Sequence, residues 1–230
     1  MCIVQPSVET AGKPGGFFIS FEGPEGGGKS TQIHRLAASL AEQGYPVWTT
    51  REPGGTRVGE MIRPILLGRQ QIRMTAWSEA LLFTAARAQH VEEVIRPRLT
   101  RGELVLCDRY TDSTLAYQGF GRGLDLDTLR RLQEQATGGL QPQLTILLNL
   151  PVETGLSRIP RPSQDRLDRE TATFHERVRA GYQEMAGSDP GRWREVDAAA
   201  APDQVAQRIL ALARDALQQA GVRPAEQRSA

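Results

Sequence analysis

"GPEGGGKST" occupies residues 23–31 and holds four glycines followed by a lysine and two hydroxyl side chains. Just before it, "FFISFE" (Phe17–Glu22) is a short apolar, β-prone run, and just after it "TQIHRLAASLAEQ" (Thr31–Gln43) repeats its apolar residues at helical spacing. The glycines therefore join a strand to a helix. In that setting G-x-x-x-x-G-K-[ST] works as a P-loop: curled backbone turns its N–H groups onto phosphate oxygens, the lysine reaches the outer phosphates, and the hydroxyl holds Mg²⁺. Gly23, Gly28, Lys29 and Ser30 match the pattern; with Pro24, Glu25, Gly26, Gly27 and Thr31 they form the candidate nucleotide-binding set. A merely flexible linker would need neither the flanking strand nor the terminal Lys-Ser. The stretch predicts a nucleoside triphosphate accompanied by Mg²⁺.

Working outward, further apolar runs at Pro46–Glu52, Glu103–Asp108, Leu144–Leu150 and Trp193–Ala198 predict four more strands. Between them, helices are predicted at Arg57–Leu67, Ala76–Leu99 with a disturbance at Pro97, and near 125–136, 167–186 and 202–219. Strands of continuous apolar character alternating with helices predict an α/β fold, a five-stranded parallel sheet covered on both faces, with ligands at the carboxyl ends of the strands. That edge gathers the P-loop, "REPGGT" (51–56) and "DRYTDS" (108–113). One domain is expected over 17–220, preceded by a mobile leader (1–16) and followed by a mobile tail (221–230).

The 230 residues carry 28 basic and 27 acidic side chains, a net charge of +1. That balance offers no field for nucleic acid or an anionic membrane, and small anionic ligands need only local arginines. No apolar run reaches membrane-spanning length and the leader lacks a secretory pattern, so a cytoplasmic protein is expected. Two cysteines, Cys2 and Cys107, suit a reducing compartment, and His34, His90 and His175 show no metal-ligand spacing.

Asp108 ends an apolar strand, the usual place for a carboxylate that orients Mg²⁺ beside a P-loop. Arg109 follows it, and Arg51 ends a neighbouring run; two guanidinium forks on one edge can hold a second phosphate, whereas single arginines at the surface commonly form ion pairs. A GTP-dependent switch needs no such second site. It would also carry N-K-x-D, and "LLNLP" offers Asn149 without the lysine or aspartate.

Taken together and in order, "FEGPEGGGKST", "REPGGT", "LLFTAARAQH", "DRYTDSTLAYQGFGRG" and "DRLDRE" resemble the thymidylate kinase family from about Phe17 to Ala220. The resemblance implies ATP-dependent phosphorylation of dTMP to dTDP on a nucleoside-monophosphate-kinase fold with strand order 2-3-1-4-5, in a homodimer. It implies that Phe83 stacks on thymine and that Arg87, four residues on and on the same helix face, bonds its edge. By the same resemblance Arg109 and Arg51 bind the dTMP phosphate, Ser113 and Gln118 lie near the base, Tyr117 leaves no room for a ribose 2′-hydroxyl, and Glu25 faces the 3′-hydroxyl. The Pro-punctuated "SRIPRPSQDRLDRE" (157–170) reads as a lid, its core at about 157–166, that supplies Arg158 or Arg161 to the transferring phosphoryl group, as in family members whose P-loop lacks arginine. Lys29, Arg109, Arg158, Arg161 and Asp108 are then the candidate catalytic residues, with Ser30 and Asp108 the metal set. The alternatives are another P-loop nucleotide or nucleoside kinase, or a non-catalytic nucleotide-binding module.

Overall fold

In "FFISFE" the side chains of Phe17, Ile19 and Phe21 point to one side and Phe18, Ser20 and Glu22 to the other, yet all six are buried. A strand enclosed on both faces belongs in the middle of a covered sheet. The computed structural model, which describes residues 15–68 and 73–225, puts it there. Strands β1 (Phe17–Glu22), β2 (Val47–Arg51), β3 (Leu104–Asp108), β4 (Leu144–Asn149) and β5 (Trp193–Asp197) form one sheet in the order β2-β3-β1-β4-β5. Every pairing is parallel. The predicted fold class and strand order are therefore the observed ones.

Helices α1 (Lys29–Ala41), α2 (Arg57–Leu67), α3 (Ala76–His90), α4 (Arg96–Thr100), α5 (Thr111–Thr114), α6 (Leu126–Thr137), α7 (Val152–Ser157), α8 (Ala172–Ser188) and α9 (Pro202–Gln219) surround the sheet. Against one face, Ile33, Leu36 and Leu40 of α1 and Ile209, Ala213 and Leu217 of α9 cover Ile19, Phe21, Leu106, Ile146 and Leu148. Across the sheet, Leu99 and Tyr110 pack on Phe18 and Val105, while Phe174, Val178 and Tyr182 gather around Leu147 and Trp193. Each such enclosed side chain contributes about 1.5–3 kcal/mol. Together these two layers hold the carboxyl edge rigid under the site.

Two helices differ from the prediction. The rod expected over 76–99 widens into a π-helical turn at Val91–Ile95 before resuming as α4. Pro97 lacks an N–H and its ring crowds the carbonyl four residues back, and a wider turn relieves that conflict without ending the helix. The helix expected from 167 starts only at Ala172, where Thr171 Oγ1 accepts from Phe174 N at 3.2 Å. Residues 165–168 instead form a tight turn: Asp165 Oδ1 accepts from Leu167 N and Asp168 N, and Asp168 Oδ2 accepts from Asp165 N. Short carboxylates that bond nearby amides compete with helix in this way.

Most of the leader and part of the tail lie outside the described residues. The described ends are tied to the domain, Gly16 N donating to Leu99 O and Ala225 N to Gly44 O, each at 2.9 Å. Among the described residues no helix is long and apolar enough to cross a membrane.

Candidate active site

The carboxyl edge of the sheet opens into a cleft of about 350 Å³. Its upper wall is the P-loop. Gly28 sits in the left-handed region (φ 81°) just ahead of α1, so the first amides of that helix face the cleft. Gly26, also left-handed (φ 69°), has no room for a side chain, because a Cβ would stand 2.0 Å from the carbonyl oxygen of Gly155 in α7. Lys29 is only 7% exposed and lies across the loop, its Nζ donating to Gly23 O at 3.1 Å and Pro24 O at 2.9 Å. Burial pulls its pKa below the usual lysine range, with Arg109 adding to the effect and Glu25, Asp108 and Glu22 opposing it.

Ser30 and Asp108 meet as the sequence predicts. Ser30 Oγ donates to Asp108 Oδ2 at 2.6 Å. A hydroxyl and a carboxylate at a P-loop helix start are hard oxygen donors, the chemistry Mg²⁺ requires.

Arg109 lines the cleft in a left-handed backbone conformation (φ 69°) that residues other than glycine rarely adopt. The surroundings that impose it are visible. Tyr110 N, the next amide, donates to Glu22 Oε1 at 2.7 Å, and Arg109 N donates to Phe21 O at 3.0 Å. The guanidinium of Arg109 donates from Nη2 to Glu25 Oε1 at 2.8 Å and from Nη1 to Gly23 O, Ser113 Oγ and Tyr182 Oη at 3.1–3.3 Å. It also stacks 4.9 Å from the Tyr117 ring centre. Tyr117 Oη donates to Glu25 Oε1 at 2.7 Å, so the two residues assigned to the sugar face do come together. Burial works to raise the Glu25 pKa, but the Arg109 and Lys29 cations overcome it and hold the group down at about 2.

Other predicted residues stand differently. Arg87 is 1% exposed and is not a loose arm over a base. Its Nε donates to Glu52 Oε2, Nη1 to Thr114 Oγ1 and Gln133 Oε1, and Nη2 to Tyr110 O, at 2.6–2.9 Å. One of its five N–H groups makes none of these bonds. Four acceptors were needed because a buried guanidinium without partners is prohibitively costly. Ser113, expected beside the base, supports Arg109 and donates to Glu22 Oε2 at 2.6 Å. Arg51 lines the cleft mouth but forms the surface pair that was the competing reading, with Glu60 Oε1 and Oε2 at 3.1 and 3.2 Å. Neither Arg158 nor Arg161 lines the cleft. Arg158 Nη1 reaches Ala198 O at 3.1 Å and, weakly, Gly26 O at 3.4 Å, while Arg161, itself exposed, begins a single turn.

Phe83 and Gln118 line the same cleft, where Phe83, Leu67 and Leu167 belong to one apolar cluster and form a slot. Thr31, Gly27 and Pro24 stay with the loop.

Sequence reading missed the residues behind the first layer. Glu22 is fully buried and also accepts from Tyr182 Oη at 3.0 Å; burial and Asp112 push its carboxyl up to about 7 against hydrogen bonds from Ser113 and Tyr110 and the charge of Arg109. Glu79 gathers Gln118, Arg122 and Arg166. His90, which shows no metal-ligand spacing in the sequence, is buried with Nε2 at 2.7 Å from Thr50 Oγ1 and Nδ1 at 3.0 Å from Glu52 Oε1. The ligand atoms of Glu52, His90 and Cys107 lie within 4.8 Å of one another, a proximity that spacing along the chain does not reveal, with both His90 ring nitrogens taken up in hydrogen bonds.

With this geometry in hand, the likenesses to known proteins are direct. A family model described as thymidylate kinase matches residues 21–209. Among curated relatives, a thymidylate kinase of Thermomicrobium roseum is 57% identical over 197 residues, covering 85% of this chain and 93% of that protein. One from Desulforudis audaxviator is 51% identical over 204 residues, covering 88% and 92%. A crystal structure of thymidylate kinase from Ehrlichia chaffeensis superposes with a TM-score of 0.71 at 32% identity, covering 86% of this chain and 99% of that one.

Proposed function

The chain belongs to the thymidylate kinase family, and from that membership we infer how its cleft carries out ATP-dependent phosphorylation of dTMP to dTDP. The observation that carries the residue assignments is the meeting, in one cleft, of the Lys29 and Ser30 arm of the P-loop with the Arg109 and Glu25 pair. Two anionic ligands can then lie end to end, one on main-chain amides and the other on a guanidinium.

Phosphoryl transfer has a loose transition state whose charge spreads over three oxygens, so alignment and electrostatic stabilisation are the enzyme's task. P-loop amides and Lys29 grip the donor phosphates. Lys29 exchanges its two carbonyl partners for phosphate oxygens, a stronger acceptor for a cation. Ser30 and Asp108 would hold Mg²⁺, which supplies charge neutralisation between donor and loop. Arg109, held by Glu22 through Tyr110 N and Ser113, fixes the acceptor phosphate. Glu25, ionised well below neutral pH, accepts the sugar 3′-hydroxyl, and the Tyr117 ring fills the space a 2′-hydroxyl would need. Phe83 packs on the base, with Gln118 at its edge. Closure of the lid at about 157–166 brings Arg158 or Arg161 toward the transferring group and keeps water out.

The domain acts as one unit over 17–220, in the reducing cytoplasm where the buried thiol of Cys107 stays unpaired. Two copies associate through an apolar stripe on α2 and α3, where Val58, Met61 and Ile65 lie at helical spacing beside Trp77 and Leu81, all at least 40% exposed. A contiguous apolar face of this kind marks an interface, and a two-fold pair is the commonest way to bury it.

A coupled ATP assay over a panel of nucleoside monophosphates tests the assignment. We expect dTMP to be turned over in preference to every purine and to cytidine nucleotides. Turnover confined to a purine monophosphate, or none at all with any acceptor, would overturn it.

A further inference from the structure

The amide of Gln118 has two ends of opposite hydrogen-bonding character, and the cleft exposes only one of them. Nε2 donates to Glu79 Oε1 at 2.7 Å. Glu79, on α3 one turn before Phe83, is 1% exposed and accepts further bonds from Arg122 Nε and Nη2 at 3.2 and 3.1 Å and from Arg166 Nη2 at 2.6 Å. Burial works to raise its pKa, yet the bonds from Arg122 and Gln118 and the charges of Arg122 and Arg166 set it below the usual carboxylate range. An ionised carboxylate only accepts. The Gln118 amide can therefore face it only with its NH₂ group, and the carbonyl Oε1 is turned the other way, bonded to no described residue, in a side chain that lines the base slot. Nearby, Arg87 has one N–H left over.

We propose that Glu79 is the positioning residue that selects the base: by locking the Gln118 carbonyl toward the slot, it makes the site demand a ring N–H beside a carbonyl oxygen. That is the edge of a 4-oxo pyrimidine. A 4-amino pyrimidine presents a lone pair at the ring nitrogen and an NH₂ group beside it, so acceptor meets acceptor and donor meets donor. Sites built around an enclosed hydrogen bond reject the mismatched analogue by factors of about 10⁴ where the bond cannot be remade. The inference rests on reading the slot as the base site. It goes beyond that reading in assigning the discrimination to a residue that never touches the nucleotide.

The test compares kcat/KM for dTMP and dCMP in the wild type, Glu79→Gln and Arg166→Gln. A glutamine at 79 can offer either end, so the Gln118 amide is able to turn. We expect the dTMP:dCMP preference to fall at least about tenfold, roughly the worth of one weak hydrogen bond, mainly through gained dCMP activity. Arg166→Gln disturbs the same cluster but keeps the carboxylate, and should keep the preference. An unchanged preference in Glu79→Gln would overturn the proposal. Should that variant not fold, a crystal structure of the wild type with dTMP decides: Gln118 Oε1 must lie within hydrogen-bond distance of the ring N–H. The base in the slot against Nε2 sinks this inference alone, whereas a base bound elsewhere sinks the reading of the slot itself.

Discussion

Glu22 ends a strand whose only other polar side chain is Ser20, and its carboxyl anchors three donors on which Arg109 depends. Pushed up to about 7, it is harder to ionise in the folded chain than in the unfolded one, where the ordinary value is 4.5. Its contribution to stability is therefore complete below about pH 4.5 and is lost as pH rises through about 7, because the unfolded state then sheds its proton first. Glu22→Gln removes that dependence. Denaturant melts should show the variant gaining on the wild type by about 2–3 kcal/mol between about pH 5 and about pH 8; a constant difference across that range would refute the assignment. Nothing in the spacing of "FFISFE" sets Glu22 apart, since its partners Ser113 and Tyr182 arrive from 91 and 160 residues away. Arg87 shows the same limit from the other side. Its spacing from Phe83 correctly put both on one face of α3, but its acceptors come from Glu52, Tyr110, Thr114 and Gln133, and only the fold assembles them. The shared placement of Lys29, Ser30 and Asp108 in one cleft was legible because a contiguous motif and a strand end fix it.

Between elements, the P-loop meets α7 main chain on main chain. Gly26 of the P-loop and Gly155 of α7 face each other, and a Cβ on Gly155 would stand 2.2 Å from Glu25 O. Backbone cannot yield as the tip of a side chain can. Gly155→Ala should cost about 1–3 kcal/mol by overpacking. A thermal melt should show a fall of roughly 2–4 °C for each kcal/mol in a chain of this size, together with weaker protection by an ATP analogue; a melt matching the wild type would show that the two backbones part easily. Element boundaries were readable where a cap or an apolar period marks them, as for α2 and α9. They failed at Val91–Ile95 and at 167–171, where a proline conflict and a pair of aspartates rewrite the local hydrogen bonding without altering the apolar pattern.

For the molecule as a whole, spacing alone announced alternating strands and helices, but the order β2-β3-β1-β4-β5 came only through likeness to a family, because the pairing of parallel strands leaves no local signal. The outer stripe on α2 and α3 predicts a pair of chains. Sedimentation at micromolar concentration should give twice the mass of 25.3 kDa, and Met61→Arg, at the most exposed point of the stripe (67%), should return single chains with the fold intact. A wild type that sediments singly, or a Met61→Arg variant that stays paired, would remove the stripe from assembly. Helix α3 meanwhile turns Glu79, Phe83 and Arg87 inward and Trp77, Leu81 and Ala85 outward. On the two roles proposed above, little of this rod is idle, so drift along it would be hemmed in from two directions at once, by the nucleotide proposed on one flank and the second copy proposed on the other.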